Sequence, residues 1–485
     1  MINALVFNHP FAYELERLIR SYFPPTRLEL FHNVTEASLP SDGYILTERT
    51  EGESITLTAK VKDGAENELS ETVPADTSEN EQERVLSVLA ARLLAEYTGE
   101  KLGWGILTGI RPVKLIEKVL CEKPSAESYL REKLLISDEK IALARRIIEV
   151  QRKPLATVEK NSFSLYVSIP FCPARCSYCS FVSHSIKTAA KLIPDYVRLL
   201  CEEIRQTAKI ALELGLKLDT IYFGGGTPTV LSAEQLSVLF NALKSFELRN
   251  VREFTVEAGR PDTITREKLA VIKSAGADRI SINPQTMNNS VLAAVGRNHT
   301  AADIEAAFSL ARSMGFQSIN ADLIAGLPTD TLEGFKESLE RLLGLSPENI
   351  TVHNLSLKRS ADLYHSDERS TPEQIGAMID FAQKTLISEG YEPYYLYRQK
   401  NSLENHENVG YSKPEKESLY NIFIMEERQT ILAAGCSGST KLVGEKGIER
   451  IYNYKFPYEY IGRFDECMKK KSGIYDFYIE NRVEK

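Results

Sequence analysis

Six short runs rich in β-branched residues alternate with five longer amphipathic stretches between residues 164 and 355. The runs cover residues 164–169, 220–223, 254–257, 279–283, 318–324 and 350–355. This alternation predicts βα units whose strands pair in parallel. No dinucleotide-binding glycine signature opens the first unit. The favoured fold class is therefore α/β, with a complete or partial barrel.

The loop after the first run carries Cys172, Cys176 and Cys179, with the spacing C-x3-C-x2-C. Three thiolates on one loop can ligate three irons of a four-iron, four-sulfide cluster and leave the fourth iron open. An open metal position is typical of a catalytic site. A zinc site and a chance grouping of buried cysteines are the alternatives, but no second pair of zinc ligands is present. An iron–sulfur cluster is the preferred interpretation.

The other strand ends also carry candidate ligand-binding groups. The second run ends in Gly224, Gly225, Gly226 and Thr227, where a backbone without side chains can approach a ligand closely. Later strand ends supply the polar residues Glu257, Gln285, Arg297 and Asp322. Each has an ordinary alternative role, as a turn residue, a cap or a solvated charge. Because chemistry in βα barrels lies at the carboxyl ends of the strands, their shared position favours one site.

The formal net charge of −8 argues against an extended surface for nucleic acid. No stretch reaches the roughly 18 consecutive apolar residues of a membrane-spanning helix. The seven cysteines are an odd number, and the N-terminus lacks the basic region of a secretory signal. A cytoplasmic protein with reduced thiols is expected. The scattered cysteines are expected to be dispensable for the cluster: Cys121, Cys201, Cys436 and Cys467.

Three domains are predicted. Residues 1–155 form an N-terminal α+β domain of unknown role, residues 156–360 the barrel, and residues 361–485 a smaller C-terminal domain. The acid-rich segment 63–84 predicts a solvated hairpin tip or loop. A helix is expected over 372–388, and a strand leading into a glycine turn over 431–440.

The motifs, taken in order, resemble the radical S-adenosylmethionine (SAM) superfamily. More closely, they are similar to the oxygen-independent coproporphyrinogen III oxidase family, with its HemN, HemW and HemZ branches. The matching pattern is Y-x-x-I-P-F-C-x3-C-x2-C, G-G-G-T-P-T, a strand-end Glu, Gln, Arg and D-L-I-x-G-L-P. It covers residues 160–360 strongly. The long N-terminal region, with Trp104-Gly-Ile-Leu-Thr-Gly-Ile-Arg-Pro, is most like the HemZ branch.

The resemblance implies two cofactors, a [4Fe–4S] cluster and SAM, with one or two SAM molecules bound. Cys172, Cys176 and Cys179 would ligate the cluster, and SAM would chelate the open iron. One electron would then cleave SAM to methionine and a 5′-deoxyadenosyl radical. The residues implied around SAM are Tyr166, Tyr178, Gly225, Gly226, Thr227, Glu257, Gln285, Arg297, Asp322 and Ile324.

The activity that the resemblance implies is conversion of coproporphyrinogen III to protoporphyrinogen IX in haem biosynthesis. Two propionates would be oxidatively decarboxylated to vinyl groups without oxygen. The expected partners are a tetrapyrrole substrate, an electron donor for the cluster and an electron acceptor, with no nucleic acid and no membrane span. The C-terminal domain would cover the substrate. Tyrosines in segment 391–397 either form one wall of that pocket or belong to an ordinary strand.

Two departures from the oxidase pattern keep other functions open. Phe181 stands where a fourth cysteine often follows, and Ser168 stands in place of a histidine. Both substitutions fit a haem-binding chaperone or carrier of the HemW type. Such relatives carry a histidine in a C-terminal glycine turn, where this chain has Cys436. A different radical reaction on a tetrapyrrole is the third possibility.

Overall fold

The computed structural model of the protein describes residues 2–23, 27–34, 43–123, 125–181, 183–356, 361, 363, 372–399 and 406–480. The chain divides into two compact units. Unit 1 comprises Met1–Ile148 and Leu396–Glu407, and unit 2 comprises Glu149–Tyr395 and Asn408–Lys485. The three predicted domains stay a prediction, and the predicted boundary residue 360 lies outside the described residues.

Unit 1 is built on a five-stranded mixed sheet of order β2-β1-β3-β4-β5. Its strands are β1 (Ile2–Phe7), β2 (Leu28–His32), β3 (Tyr44–Glu51), β4 (Ser54–Asp63) and β5 (Ala65–Pro74). Its helices are α1 (Ala12–Tyr22), α2 (Glu79–Thr98), α3 (Pro112–Glu122), α4 (Ala126–Ser128) and α5 (Asp138–Ala156), the last of which continues into unit 2. Apolar side chains of α1 and α2 pack with those of the sheet in one core.

The expectation that the acid-rich segment 63–84 forms a hairpin tip or loop is wrong for most of its length. Only the turns at Gly64 and at residues 75–78 fit it, because β5 pairs antiparallel with β4 over ten residue pairs from Asp63–Ala65 to Ser54–Pro74, and α2 begins at Glu79. An edge strand can expose charged side chains along its length, and charge protects it from further pairing. Backbone hydrogen bonds to β4 hold this strand in place. Because its side chains are mostly exposed and polar, the hydrophobic pattern of the sequence did not predict it.

Unit 2 carries an eleven-stranded sheet whose centre is the predicted partial barrel. Six strands pair in parallel in the order β6-β9-β10-β11-β12-β13, which confirms the prediction. These strands are β6 (Ser162–Ile169), β9 (Lys217–Gly225), β10 (Glu253–Glu257), β11 (Arg279–Ser281), β12 (Ser318–Ala325) and β13 (Asn349–Asn354). Two short strands, β7 (Phe171–Cys172) and β8 (His184–Ser185), pair in the loop after β6.

The C-terminal region extends the same sheet at both edges. Its strands are β14 (Glu392–Arg398), β15 (Glu407–Ser412), β16 (Thr430–Ala434), β17 (Ser439–Gly444) and β18 (Gly447–Tyr452). Strand β15 pairs antiparallel with β13, whereas β16 pairs in parallel with β6 and adds a seventh parallel strand. The glycine turn after β16 therefore lies beside the strand that leads into the cysteine loop.

Helices flank the sheet of unit 2. They are α6 (Ile186–Ala189), α7 (Ile193–Glu213), α8 (Ala233–Ala242), α9 (Arg266–Ser274), α10 (Asn289–Ala294), α11 (Ala301–Ser313), α12 (Leu332–Gly344), α13 (Pro372–Ser388), α14 (Leu419–Glu426), α15 (Pro457–Gly462), α16 (Phe464–Lys470) and α17 (Gly473–Glu480). Side-chain caps fix the starts of several barrel helices. The capping boxes of Ser232 with Gln235 and of Thr300 with Asp303 are examples. Among the described helices, none combines the length and apolar character needed to cross a membrane.

Candidate active site at the barrel mouth

The cysteine loop leaves β6 at the carboxyl end of the barrel, as predicted. Its first cysteine, Cys172, lies in the β7–β8 pairing and accepts a hydrogen bond from the Thr227 hydroxyl, whose oxygen is 3.5 Å from the sulfur. The backbone N–H of Cys179 donates to the carbonyl of Cys176 across 3.0 Å. These contacts hold the thiol-bearing segment against the glycine turn that follows β9.

A buried arginine lies beside the cysteines. The Nη1 atom of Arg260 is 3.8 Å from the Cys176 sulfur and 3.3 Å from the Ala174 carbonyl oxygen. The same guanidinium pairs with Asp262 at 3.0 Å. Burial raises the pKa of the Cys172 and Cys179 thiols, so thiolates there need a cation or a metal to stabilise them. The guanidinium and a bound metal would both supply positive charge.

No three His, Cys, Asp or Glu side chains within the described ranges are arranged to hold a single metal ion. Three thiolates that each bind a different iron of a cubane do not converge on one point. Three cysteines on one loop, with a hydroxyl donor and a guanidinium beside them, form a donor set that fits such a cluster.

The glycine turn after β9 approaches the cysteine loop so closely that a side chain has no room. The amide of Gly226 donates to the Ile169 carbonyl across 2.7 Å. A Cβ at Gly226 would lie 2.6 Å from the Phe171 carbonyl oxygen and 3.0 Å from the Cys172 sulfur. Gly225 has a φ of 106°, which disfavours residues with a side chain. The sequence motif is thus explained by contact with the cysteine loop.

Glu257 ends β10 and faces the barrel interior. Its Oε1 accepts a hydrogen bond of 2.6 Å from the Tyr222 hydroxyl. The Tyr222 ring in turn stacks with the rings of Tyr166 and Tyr420, and the three centroids lie 4.5–6.4 Å apart. Burial raises the pKa of Glu257 to about 7, although the bond from Tyr222 opposes the shift. A carboxyl group that titrates near neutrality beside a single phenol can take a further partner.

Asp322, on β12, lies in a more polar setting. Asn320 donates to its Oδ1 across 2.9 Å, and the His353 Nε2 atom is 3.6 Å from its Oδ2. Burial favours protonation of Asp322. The bond and charge of His353, with bonds from Asn320 and Thr351, outweigh it and lower the pKa of this carboxyl. Asp322 is therefore an ionised acceptor two strands away from Glu257.

Gln285 shows the clearest signs of a missing partner. Its φ is 70°, in the left-handed region that is strained for a residue with a side chain. Its backbone is fixed to β12 through bonds of 2.9 Å with Asp322 and Ile324. The side-chain oxygens of Gln285 and Asn283 are buried and have no hydrogen-bond partner within the part of the chain that the structure describes. Buried polar atoms of this kind call for a bound group or water.

Arg297 is buried and is fully engaged with protein acceptors. It donates to the Tyr178 hydroxyl at 3.1 Å, to the Gly259 carbonyl at 3.2 Å and to the Asn283 carbonyl at 2.7 Å. Its Nε lies 3.5 Å from the ring of His299. Arg297 therefore ties Tyr178 of the cysteine loop to the loops after β10 and β11.

Most of the predicted site residues lie on or just after the barrel strands of unit 2, whereas Tyr178 lies in the cysteine loop and Arg297 follows α10. Ile324 is buried on β12, and Tyr166 lies on β6 in contact with Tyr222. Sequence reasoning missed Tyr222, Arg260, His353 and Tyr420. Arg260 and His353 follow or end barrel strands, so the rule that located Glu257 could have found them, whereas Tyr222 lies within β9. Tyr420 comes from α14 and carries no local signal.

The tyrosines of segment 391–397 follow the ordinary-strand alternative where they lie in unit 2. Tyr391 donates to the Pro347 carbonyl across 2.6 Å, Tyr394 accepts from Asn421, and Tyr395 bonds Thr351. All three are buried in the core rather than exposed to a pocket.

The turn after β16 is closed to ligands. The Gly435 amide donates to Glu203 across 2.7 Å, and the Cys436 amide donates to the Tyr196 hydroxyl across 2.9 Å. Cys436 is 0% exposed. Glu203 itself pairs with buried Lys471 at 3.1 Å. A thiol enclosed in this way is a poor candidate for binding haem iron.

Comparison with known proteins places the same residues in one family. The radical SAM superfamily matches residues 166–342. The oxygen-independent coproporphyrinogen-III oxidase-like protein HemZ of Bacillus subtilis is 40% identical over 450 residues, which cover 89% of each chain. The heme chaperone HemW of B. subtilis is 32% identical over 256 residues, covering 51% of this chain and 66% of HemW.

A solved structure agrees with this placement. Coproporphyrinogen III oxidase (HemN) from Escherichia coli, described as a radical SAM enzyme, superposes with a TM-score of 0.53. The sequences are 25% identical, and the match covers 65% of this chain and 72% of HemN. The α/β barrel fold is therefore shared.

Proposed function

The chain belongs to the radical SAM family of oxygen-independent coproporphyrinogen III oxidases and their relatives, on its HemZ-like branch. We propose that it catalyses the oxygen-independent oxidative decarboxylation of two propionates of coproporphyrinogen III, giving protoporphyrinogen IX. The likeness to HemZ over 89% of each chain supports this reaction above haem carriage.

The cofactors of the chain are a [4Fe–4S] cluster and SAM. When bound, they supply a 5′-deoxyadenosyl radical that can abstract a hydrogen atom from a substrate propionate. The protein contributes ligands, orientation and exclusion of water. Cys172, Cys176 and Cys179 are proposed to hold the cluster, with the Thr227 hydroxyl and the Arg260 guanidinium stabilising their sulfur atoms.

SAM is proposed to lie between the cysteine loop and the strand ends from β9 to β12. The turn of Gly225, Gly226 and Thr227 offers a backbone that a methionine moiety can approach. Glu257 and Asp322 offer acceptors for an ammonium and for ribose hydroxyls. Ile324 offers an apolar contact for adenine.

The aromatic and amide groups complete this proposed site. Tyr166 and Tyr178 are proposed to border the cluster, and Gln285, whose side-chain oxygen has no partner among the described residues, is proposed to bind the ligand. Arg297 acts through Tyr178 and Asn283, whose positions it fixes. The single observation that carries the proposal is the unpaired oxygen of Gln285 on a strained backbone beside Asp322. Such an arrangement at a barrel mouth is typical of a site that a ligand completes.

The alternative, carriage of haem as in HemW, draws on Ser168 and Phe181. Ser168 is buried on β6, and its carbonyl accepts a hydrogen bond from Tyr196. This residue belongs to the packing beneath the site and offers no haem ligand. The enclosed Cys436 turn likewise gives no support to haem ligation.

The deciding experiment is an anaerobic assay with reconstituted protein, SAM, a reductant, an electron acceptor and coproporphyrinogen III. Two vinyl groups and two molecules each of CO2 and 5′-deoxyadenosine should form per substrate. Cys176→Ala protein serves as the inactive control. Stoichiometric haem binding without any decarboxylated product would overturn the proposal in favour of a carrier.

A further inference from the structure

The ion pair of Arg260 and Asp262 is asymmetric with respect to the cysteine loop. Arg260 follows β10, and its side chain is only 4% exposed. Its Nε and Nη2 atoms each lie 3.0 Å from a carboxylate oxygen of Asp262. The remaining nitrogen, Nη1, lies 3.8 Å from the Cys176 sulfur. The positive end of the pair therefore contacts the cysteine loop.

Neighbouring segments hold Arg260 in place. Its carbonyl accepts hydrogen bonds from the amide of Thr263 across 3.0 Å and from the hydroxyl of Thr263 across 2.8 Å. That hydroxyl lies 2.7 Å from the hydroxyl of Thr229, which follows the glycine turn. Nη1 also donates to the Ala174 carbonyl, midway along the C-x3-C segment, across 3.3 Å. A guanidinium fixed in this way needs no reorganisation when the charge of its neighbour changes.

Burial distinguishes Arg260 from the arginine that lies within the cysteine loop. Arg175 is exposed, so water and salt screen its charge. Arg260 is buried, and the charge of a buried group is screened much less. Of these two cations, Arg260 therefore has the larger influence on a group bound by the cysteines.

The sign of this influence follows from the charge of an iron–sulfur cluster. A cluster gains one negative charge when it takes up one electron. Positive charge and N–H donors beside its sulfur atoms stabilise the reduced form and so raise its reduction potential. The Asp262 carboxylate opposes this effect, but it contacts the Nε–Nη2 edge of the guanidinium and is 25% exposed. The positive end of the pair should therefore dominate.

We propose that Arg260 is a positioning residue that raises the reduction potential of the cluster, and that Asp262 limits the rise. This role rests on the cluster of the proposed function and adds two residues outside the set of cluster ligands. Arg260 lets the cluster take up an electron from a weaker reductant. It forms no covalent bond and releases no proton in doing so.

A redox titration of the reconstituted protein measures this effect directly. The reduced cluster is followed by electron paramagnetic resonance under anaerobic conditions, with dithionite as the reductant and without SAM or a tetrapyrrole. Arg260→Met replaces the guanidinium with an uncharged, unbranched side chain. At a fixed potential, the ratio of reduced to oxidised cluster should fall about tenfold. This change corresponds to a midpoint potential lowered by about 59 mV for one electron.

Asp262→Asn should have the opposite effect. It removes the negative charge and leaves the guanidinium beside the Cys176 sulfur, so the same ratio should rise, by about threefold because Asp262 is partly exposed. Opposite signs separate an electrostatic role from a loss of packing, which would not depend on the sign of the lost charge. If Arg260→Met held no cluster, Asp262→Asn would decide alone, and an unchanged or lowered potential would contradict the proposal.

Arg252→Met is the matched control. Arg252 precedes β10 at the opposite end of the same strand and pairs with Asp219, whose Oδ2 lies 2.6 Å from its Nη2. The variant removes a paired guanidinium away from the cysteine loop and should keep the wild-type potential. A shift as large as that of Arg260→Met would assign the effect to the charge of the whole chain and would sink the proposal.

The results also separate this role from the proposed reaction. A wild-type protein that assembles no [4Fe–4S] cluster would overturn both. A cluster with one potential in the wild-type, Arg260→Met and Asp262→Asn proteins would overturn the role of Arg260 and leave the reaction untouched. Shifted potentials without any decarboxylation of coproporphyrinogen III would support Arg260 and contradict the reaction.

Discussion

Two buried glutamates, one at the barrel mouth of unit 2 and one in unit 1, have opposite electrostatic environments. Glu407, in unit 1, pairs with the Lys140 ammonium and accepts a hydrogen bond of 2.7 Å from the Trp104 indole. Burial opposes its ionisation, but the charge and bonds of these partners lower its pKa to about 2. Among the residues that the structure describes, Glu257 is hydrogen-bonded by the Tyr222 hydroxyl, and burial raises its pKa to about 7.

The difference separates a carboxylate that completes the fold from one that awaits a ligand. Glu407, the first residue of β15, bonds Trp104, so the tryptophan loop singled out in the sequence serves as an anchor inside unit 1. Its charge is fully compensated by protein. The charge of Glu257 is compensated only in part, which is expected of a group that binds a cation or hydroxyl from outside.

The largest effect should come from removing a cluster ligand at the barrel mouth. Cys176→Ala should abolish the [4Fe–4S] cluster, because only three protein thiolates are proposed to hold it. Iron and sulfide analysis after anaerobic reconstitution measures the loss. Cys121→Ala in unit 1 and Cys436→Ala in the enclosed turn should retain full content. Loss of the cluster in Cys436→Ala with retention in Cys176→Ala would reverse the assignment.

The next largest effect should come from removing the carboxylate of Glu407, whose charge is compensated by Lys140. Glu407→Ala leaves the Lys140 ammonium, which is 12% exposed, without its partner. Breaking a buried pair in this way destabilises a fold by about 3–5 kcal/mol. Denaturant unfolding of unit 1 measures it. Glu122→Ala, which removes an exposed partner of Lys118 at 3.9 Å, is the control and should change stability by less than about 1 kcal/mol.

The stability contributed by Glu407 should also depend on pH. Its folded pKa of about 2 lies below the ordinary value of 4.5. The contribution is therefore present above about pH 4.5 and is lost as the pH falls towards 2. A Glu407→Ala variant as stable as the wild-type protein at pH 7 would remove the contrast between the two carboxylates.

A smaller effect is expected from removing the carboxylate of Glu257, whose charge is only partly compensated. Glu257→Ala should weaken SAM binding by roughly one to two decades, which corresponds to about 1.5–3 kcal/mol for a hydrogen bond to a charged group. The cluster spectrum should stay intact, and 5′-deoxyadenosine should form more slowly. Glu267→Ala, an exposed residue of α9, is the control and should leave both quantities unchanged.

Arg297→Ala should weaken SAM binding by a comparable factor for a different reason. The guanidinium holds Tyr178 and the Asn283 carbonyl, so its loss displaces groups around the ligand. Arg297→Lys keeps the positive charge but cannot make the three hydrogen bonds to Tyr178, Gly259 and Asn283, so it should recover little of the affinity. Full recovery would show that charge alone matters at this position.

The barrel could be predicted from sequence because its strands and helices are local and regularly spaced. All six predicted strands lie within a few residues of the observed ones. The strand-end rule also located Glu257 and Asp322, because parallel strands bring their carboxyl ends together. Local pattern and chain order were sufficient for these residues.

Contacts between distant segments could not be predicted. The parallel pairing of β16 with β6 joins residues more than 250 positions apart. The Lys140–Glu407 pair and the Tyr420 ring depend on the same kind of long-range packing. The sequence placed Arg297 near SAM but did not show that Tyr178 and two backbone carbonyls engage its donors.

The smallest expected effect is the pH dependence of SAM affinity, which would sharpen the contrast with Glu407. The folded pKa of Glu257, about 7, lies above its ordinary value of 4.5. The carboxyl is therefore neutral at pH 6 and ionised at pH 8, and folding is disfavoured as the pH rises between 4.5 and 7. An ionised carboxylate attracts the positive groups of SAM, so affinity should rise up to about tenfold between pH 6 and 8.

Asp322 and His353 also face Glu257, and SAM titrates as well, so the wild-type profile contains several contributions. Glu257→Gln keeps the shape and removes only this ionisation. The rise should therefore shrink in Glu257→Gln, and identical profiles for the two proteins would assign the pH dependence to the other groups.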